Sequence, residues 1–105
     1  MAVKKLTTDT FKTEIIDSGK LAVVDFNADW CGPCRMPGPI LEELSDEMTD
    51  VTFAGVNIDD EEDLAEEYGI SSIPCLVLFK DGEEIDRIVG LRPKDAVESW
   101  IGDNK

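Results

Sequence analysis

The chain has 105 residues, 42% hydrophobic and 32% charged, which fits one soluble globular domain, and its lack of an apolar run of about eighteen residues argues against a membrane span. Twenty-four acidic and ten basic residues give a formal net charge of −14, so nucleic acid and anionic membranes are poor partners. The absence of histidine excludes a Ser-His-Asp triad, a Cys-His protease and a His-ligated zinc site.

The N-terminal part of the chain predicts a strand, a helix and a second strand. A short edge strand at residues 3–6 precedes a helix that Thr7 or Thr8 caps and that stops at Gly19. The nearly continuous apolar run at residues 21–26 predicts a central strand that is covered on both faces. The first twenty residues lack the apolar stretch of a secretory signal, so we expect a cytoplasmic protein.

After Trp30 the apolar pattern changes to helical spacing. The predicted inner face of this helix consists of Met36, Ile40, Leu41, Leu44 and Met48. We expect Pro39 to kink the helix, because proline lacks the N–H that the helix interior needs. A buried strand is predicted at residues 51–58, and Asp60 begins a helix that ends at Gly69.

The C-terminal third predicts a hairpin and a last helix. A strand at residues 75–79 reaches a turn at Asp81-Gly82, and residues 85–89 return as its partner. Pro93 suits the first turn of the helix that follows. The predicted inner face of that helix consists of Ala96, Val97, Trp100 and Ile101. This order of elements predicts an α/β fold, with a mixed sheet and helices on both of its faces.

The strongest chemical signal is the segment Trp30-Cys31-Gly32-Pro33-Cys34, where a buried strand gives way to a helix. Cys31 falls at the predicted helix N-terminus, whose free N–H groups favour an anion, so its thiolate should form more easily than that of a free cysteine. Cys34 follows one helical turn later, so the two sulfurs can meet. A four-residue loop gains only roughly 2 kcal/mol as a structural cross-link, so the spacing favours a bridge that opens and closes.

Asp25 stands inside the apolar run of the central strand. Burial disfavours the charged form and should raise the pKa of this carboxyl, which makes it a candidate acid or base near neutral pH. Cys34, which we expect to lie deeper than Cys31, must lose its proton before it attacks a mixed disulfide, and Asp25 lies on the strand that leads into the motif. The simpler interpretation is an aspartate at a strand end that bonds to a loop.

The acidic residues are unevenly distributed. No Lys or Arg occurs between Arg35 and Lys80, and an unbroken acidic run fills residues 59–63 within that stretch. The run is either a solvated face that keeps the protein soluble or a surface that steers the protein toward a basic rim on a partner.

The sequence resembles the thioredoxin family over nearly the whole chain, with the matching residues in the family's order. Those residues are Val24, Asp25, Phe26, Ala28, Trp30, Cys31, Gly32, Pro33, Cys34, Met36, Pro39, Ile40, Leu41, Val56, Asn57, Ile58, Asp59, Tyr68, Gly69, Ile70, Ile73, Pro74, Leu78, Phe79, Lys80, Gly82, Val89 and Gly90. The WCGPC motif, followed downstream by Ile-Pro before a strand, is far more specific than two cysteines at this spacing alone.

The resemblance implies a thioredoxin fold, a central mixed five-stranded sheet flanked by four helices, as a single domain over residues 1–105. It implies a redox carrier with protein-disulfide reductase activity, which serves electron transport and cell redox homeostasis with no cofactor and no metal. Cys31 would attack a substrate disulfide, Cys34 would then release the substrate, and Asp25 would be the buried acid or base. The implied partners are disulfide-containing proteins and an NADPH- or ferredoxin-linked thioredoxin reductase, and we expect a monomer.

The resemblance also implies a cis peptide at Pro74 and pairing of the Ile73 backbone with the substrate chain. An apolar surface around the cysteines would receive the substrate, and we refer to it as the docking surface. Its residues are Trp30, Gly32, Pro33, Ile73, Pro74, Gly90 and Leu91.

Three residues depart from the family pattern. Asn27 stands where an aromatic residue is usual, Gly55 where many members carry a lysine near the buried acid, and Cys75 where threonine is usual. Without the lysine, the ionised form of Asp25 should be harder to reach. Cys75 is either a small buried residue or a third thiol that could form a wrong disulfide or a regulatory adduct.

Three other functions are weighed against disulfide reduction. Disulfide oxidases and isomerases commonly carry a histidine between their cysteines, whereas Gly32-Pro33 brings no charge. The intact cysteine pair argues against a binding module without turnover. A zinc or iron–sulfur site would need four ligands, and the chain has three cysteines and no histidine.

Overall fold

The computed structural model describes residues 3–105, so Met1 and Ala2 of the predicted domain lie outside the described part. The strands there are β1 (Val3–Lys5), β2 (Ala22–Asn27), β3 (Thr52–Asn57), β4 (Cys75–Lys80) and β5 (Glu83–Val89). The α-helices are α1 (Thr8–Phe11), α2 (Pro37–Glu47), α3 (Glu62–Glu67) and α4 (Lys94–Asp103). A π-helical turn (Lys12–Ile16) continues α1, and a 3-10 turn (Pro33–Arg35) precedes α2.

The strands form one mixed sheet in the order β1-β3-β2-β4-β5. β3 pairs in parallel with β1 and β2, whereas β4 pairs antiparallel with β2 and β5. The register places Asp25 of β2 between Gly55 of β3 and Leu76 of β4. The predicted five-stranded mixed sheet with four helices is confirmed, and the acidic residue lies on its central strand.

Two clusters of buried apolar side chains cover the two faces of the sheet. Val24 and Phe26 pack with side chains of α1 and α3, whereas Val23 packs with side chains of α2 and α4. Side chains alternate between the faces of a strand, so Asp25 and Asn27 share the α2–α4 face with Val23. The buried carboxyl therefore lies between the sheet and the layer that carries the cysteine motif.

The predicted helix after Trp30 is divided into the 3-10 turn and α2. Neither Pro37 nor Pro39 has an N–H to donate to the carbonyl four residues earlier, so regular α-helical bonding cannot cross this segment. The Met36 N–H instead donates to the carbonyl of Pro33 at 3.1 Å, which is 3-10 geometry. Two expectations are therefore wrong: Pro39 lies in the first turn of α2 rather than at an interior kink, and Met36 is exposed rather than on the inner face.

The predicted starts of the first and last helices agree with the structure, whereas α3 begins at Glu62 rather than at Asp60. Thr7 caps α1, with its side chain accepting from the Thr10 N–H and its own N–H donating to Thr10. Pro93 immediately precedes α4. The expectation that Ala96 faces inward is wrong, because Ala96 is exposed and the inner stripe of α4 begins one residue later. That stripe consists of Val97, Trp100 and Ile101.

Candidate active site

Cys31 and Cys34 form a disulfide, with their Cα atoms 5.3 Å apart. Ala28 belongs to the same buried cluster, and Ile58 and Ile73 pack against it. The exposed fractions of the two cysteines are 6% and 7%. The expectation that Cys34 lies deeper is therefore wrong for this oxidised form, in which both residues are covered equally.

The sulfur of Cys31 accepts a hydrogen bond from the backbone. The Cys34 N–H donates to Cys31 Sγ at 3.2 Å, and it also lies 3.2 Å from the Cys31 carbonyl oxygen. This N–H is one of the donors that the start of a helical turn leaves available. Donors of this kind favour an anion, so the position would stabilise charge on Cys31 once the disulfide is reduced. The N–H group that was predicted to stabilise the Cys31 thiolate therefore belongs to the 3-10 turn rather than to α2.

Asp25 is 5% exposed, and its Oδ1 is buried with no hydrogen-bond partner in the described part of the chain. Burial raises the pKa of this carboxyl from 3.8 to about 7, and the Asn27 side chain opposes the rise. The predicted rise in pKa agrees with this environment. The group can therefore take up or release a proton near neutral pH.

Two of the three departures from the family pattern meet beside Asp25. Asn27 Nδ2 donates to the backbone carbonyl of Asp25 at 3.0 Å. A Cβ atom placed on Gly55 would lie 3.6 Å from the same Nδ2. The third departure, Cys75, is a free and buried cysteine at the start of β4, where it pairs with Phe26. Burial raises the pKa of the Cys75 thiol, which makes its thiolate harder to form.

The residues of the predicted docking surface differ in exposure. The exposed members are Trp30, Gly32, Pro33 and Leu91. The Ile73–Pro74 peptide is cis, as expected, and Pro74 is buried while half-buried Ile73 packs against the cysteine cluster. The Gly90 N–H donates to the Pro74 carbonyl at 2.9 Å, so β5 and the Ile-Pro segment are joined next to the disulfide.

Trp30 is held by a residue of the acidic run that sequence reasoning did not assign to the site. Trp30 is 68% exposed, and its Nε1 donates to Asp59 Oδ2 at 2.7 Å. The Asp59 N–H in turn donates to Asn57 Oδ1 at 2.9 Å. An asparagine at a strand end, here followed by Ile58 and then by Asp59 and Asp60, is typical of a turn, because its side chain bonds the backbone two residues on. The pattern predicts the turn, but it does not predict that Asp59 accepts a hydrogen bond from the Trp30 indole.

An apolar groove of about 240 Å³ adjoins the docking surface at Leu91. The residues that line it are Met36, Ile40, Leu91, Arg92 and Pro93. Helical periodicity assigned Met36 to the core, so the sequence did not predict this groove. The exposed apolar surface at Leu91 therefore extends beyond the seven predicted residues to Met36 and Ile40.

Comparison with known proteins decides the family. A family model described as Thioredoxin matches residues 2–103. This chain belongs to the thioredoxin family. It is 50% identical to a thioredoxin of Chlamydia caviae over 90% of this chain and 91% of that protein, and 50% identical to one of Chlamydia pneumoniae over 94% and 95%. It is also 46% identical to thioredoxin 1 of Synechococcus elongatus over 96% of each chain.

The family and the cysteine pair together establish the chemistry. The protein is a protein-disulfide reductase and electron carrier that acts by dithiol–disulfide exchange through Cys31 and Cys34. Membership in this family implies disulfide substrates and recycling by a reductase. Across residues 3–105, none of the helices is long and apolar enough to cross a membrane.

Proposed function

We propose that Cys31 is the attacking thiol, that Cys34 is the resolving thiol and that Asp25 is the acid and base of the resolving step. The observation that carries this assignment is the N–H of Cys34, which donates to Cys31 Sγ at 3.2 Å. A thiolate is the reactive form of cysteine, and a donor at this distance favours negative charge on Cys31. The exposed Trp30 beside it marks the side from which a substrate reaches that sulfur.

In the first step the Cys31 thiolate attacks one sulfur of a substrate disulfide. A bond forms between Cys31 Sγ and that sulfur, and the substrate disulfide breaks. The second substrate sulfur leaves with the bonding electron pair and takes a proton from water. The product is a mixed disulfide between Cys31 and the substrate.

In the second step Cys34 closes the internal disulfide. The Cys34 thiol gives its proton to the Asp25 carboxylate, and its sulfur forms a bond with Cys31 Sγ. The bond from Cys31 to the substrate breaks, and the substrate sulfur leaves as a thiolate that the Asp25 proton can neutralise. A pKa of about 7 suits Asp25 to both transfers, because the carboxylate and the protonated carboxyl are then present in comparable amounts at neutral pH.

The docking surface is proposed to bind the substrate chain around its disulfide. Trp30, Gly32, Pro33 and Leu91 offer exposed apolar area, and such area near a reactive group favours a protein partner. Ile73 lies against the cysteine cluster, so a chain paired with its backbone would run past the disulfide. Pro74 and Gly90 would contribute through their backbone, since Pro74 is buried and Gly90 has no side chain.

We further propose that residues 1–105 act as one thioredoxin domain, as a monomer, in the cytoplasm. Each copy of the chain carries a net charge of −14, so two copies repel one another, which favours a monomer. A carrier that must be reduced to act is suited to the reducing conditions of the cytoplasm. Sedimentation of the purified protein and its location by cell fractionation test these two points.

Reduction of insulin disulfides tests the proposed roles. The protein is supplied with electrons from an NADPH-linked flavin reductase, a ferredoxin-linked reductase or dithiothreitol. We expect turnover with dithiothreitol and with one reductase, loss of turnover in Cys31→Ser, and several-fold slower turnover near pH 7 in Asp25→Asn. No turnover with dithiothreitol would overturn the cysteine roles, whereas turnover with dithiothreitol alone would overturn the choice of these two reductase classes.

A further inference from the structure

Asn27 is the polar side chain that adjoins Asp25 on the same face of β2. The two residues are separated by one position, so both point toward α2 and α4. The Asn27 amide is held in place, because Nδ2 donates to the Asp25 backbone carbonyl at 3.0 Å. An amide nitrogen carries two hydrogens, so the second can donate to the carboxylate while the first keeps this bond.

Two surface crevices flank the Asn27 side chain. One of about 330 Å³ extends toward the cysteines, and its lining residues are Asn27, Ala28, Asp29, Cys34 and Arg35. The other, of about 250 Å³, extends toward β1, and its lining includes Lys5, Asn27 and Gly55. The second crevice exists because Gly55 has no side chain to fill the space beside Asn27. Asn27 therefore lines both crevices while its amide is bonded to the backbone of Asp25.

The Asn27 amide lies next to Asp25 on this face, where it is bonded to the Asp25 backbone, and Asp25 Oδ1 has no hydrogen-bond partner in the described part of the chain. On β3 the paired residue is Gly55, and on β4 it is the apolar Leu76. The ionisable groups on the neighbouring segments are Cys34 and Arg35 of the 3-10 turn, Cys75 of β4, Asp29 of the following loop and Lys5 of β1. Burial raises the pKa of Asp25, and the Asn27 side chain is the group that lowers it. A donor to a carboxylate favours the charged form.

We propose that Asn27 is a positioning residue for the proton transfer at Asp25, because its anchored amide stabilises the carboxylate that accepts the Cys34 proton. This inference rests on the proposed role of Asp25. In the resolving step the S–H bond of Cys34 breaks and the proton moves to Asp25, while the sulfur electron pair forms the bond to Cys31. Asn27 acts on the first of these events, since it sets how much carboxylate is present at a given pH.

The test is a titration of Asp25 in Asn27→Leu, a change that removes the amide at similar volume. The carboxyl resonance of Asp25 is followed by NMR in the oxidised protein, so that Cys31 and Cys34 do not titrate with it. We expect the midpoint to rise by about one pH unit, as the loss of a hydrogen bond to a charged group predicts. The pH profile of mixed-disulfide resolution should move up by the same amount, with up to about tenfold slower resolution below neutral pH.

Asn104 offers a matched control. Its amide is also half-buried, and it donates to the Trp100 carbonyl at 2.8 Å at the end of α4. Asn104→Leu should leave the Asp25 midpoint where it is. In the Asp25→Asn background, Asn27→Leu should change the resolution profile no further. Asn27→Val, which suits a strand and has no donor, takes the place of the leucine variant if that variant does not fold.

The outcomes separate the inference from the proposed function. An Asp25 midpoint that stays unchanged in Asn27→Leu would overturn the inference and leave the role of Asp25 standing. If the Asp25 midpoint rises while the pH profile of mixed-disulfide resolution stays fixed, Asp25 does not control the resolving step. The inference then fails because the proposed role of Asp25, on which it rests, fails. In that case Asp25→Asn alone would also resolve mixed disulfides at the rate of the unaltered protein.

Discussion

Asp25 lies opposite Gly55 in the parallel pairing of β2 and β3, so the neighbouring strand offers the buried carboxyl no side chain. The resemblance to the thioredoxin family implied a lysine at this place in many members, and its absence was expected to make ionisation of Asp25 harder. The carboxyl does have a raised pKa of about 7, and burial is the principal cause. The consequences for stability, redox chemistry and partner binding can be tested separately.

Asp25→Asn should stabilise the protein in a pH-dependent way. The folded state binds the Asp25 proton more tightly than the unfolded chain does, because burial raises the pKa from 3.8 to about 7. Stability is therefore lost as pH rises between these two values, and the loss is complete above pH about 7. We expect the variant to match the unaltered protein near pH 4 and to exceed it by as much as about 4 kcal/mol above pH 8.

Urea unfolding of the oxidised protein across this pH range measures the difference. Exposed Glu98→Gln in α4 removes a carboxylate of similar size from a solvated position and should show no such rise. A stability gain in Asp25→Asn that is the same at every pH would show that the carboxyl is not the cause.

Gly55→Lys should lower the pKa of Asp25. A Cβ at residue 55 would make ordinary contact with Asn27 Nδ2 at 3.6 Å, so the crevice beside it has room for a side chain. An opposite charge near a carboxylate favours ionisation, and we expect the NMR midpoint of Asp25 to fall by about one pH unit. Gly55→Met fills similar space without a charge, and equal midpoints in the two variants would rule out a Coulombic effect.

The fold was predictable because its buried elements carry strong patterns. The apolar run of β2 and the helical spacing within α2 each follow from the need to cover a strand on both faces or a helix on one. The predictions failed where local bonding overrides periodicity. Met36 fits the α2 stripe in sequence, yet the missing N–H groups of Pro37 and Pro39 separate it from that helix.

The site was predictable to the extent that its residues are adjacent in sequence. The cysteines and Asp25 could be connected through a strand that leads into a helical turn. The proximity of Asn27 to Gly55 and the bond of Trp30 to Asp59 depend on register and loop geometry between distant segments. Hydrophobic patterns specify which face of a strand is buried, but they do not specify which distant polar group meets it.

Cys75 should be inert toward small thiol reagents in the folded protein. It is buried and free, and burial raises the pKa of its thiol, so little thiolate is exposed to react. We expect the oxidised protein to incorporate no label until it is denatured, when one thiol becomes reactive. Cys75→Ala defines the background, and rapid labelling of the native protein at Cys75 would favour the regulatory interpretation.

The acidic run should accelerate binding to the reductase if it steers the partner. Asp59 of this run contacts Trp30, so the charges adjoin the docking surface. We expect the association rate constant to fall about threefold or more as ionic strength rises to about 0.3 M. The triple change Asp60→Asn, Glu62→Gln and Asp63→Asn should flatten that dependence. A rate that is independent of salt in the unaltered protein would leave only the solvated-face interpretation.

Trapping of the mixed disulfide tests the attack by Cys31 most directly. Reduced Cys34→Ser is mixed with an oxidised protein substrate, and the cross-linked peptide is identified by mass spectrometry, with the Cys31→Ser, Cys34→Ser double variant as control. Because resolution is blocked, we predict a stable adduct at Cys31 and none in the control. An adduct at Cys75, or no adduct under conditions in which the unaltered protein reduces the same substrate, would contradict the assignment of Cys31 as the attacking thiol.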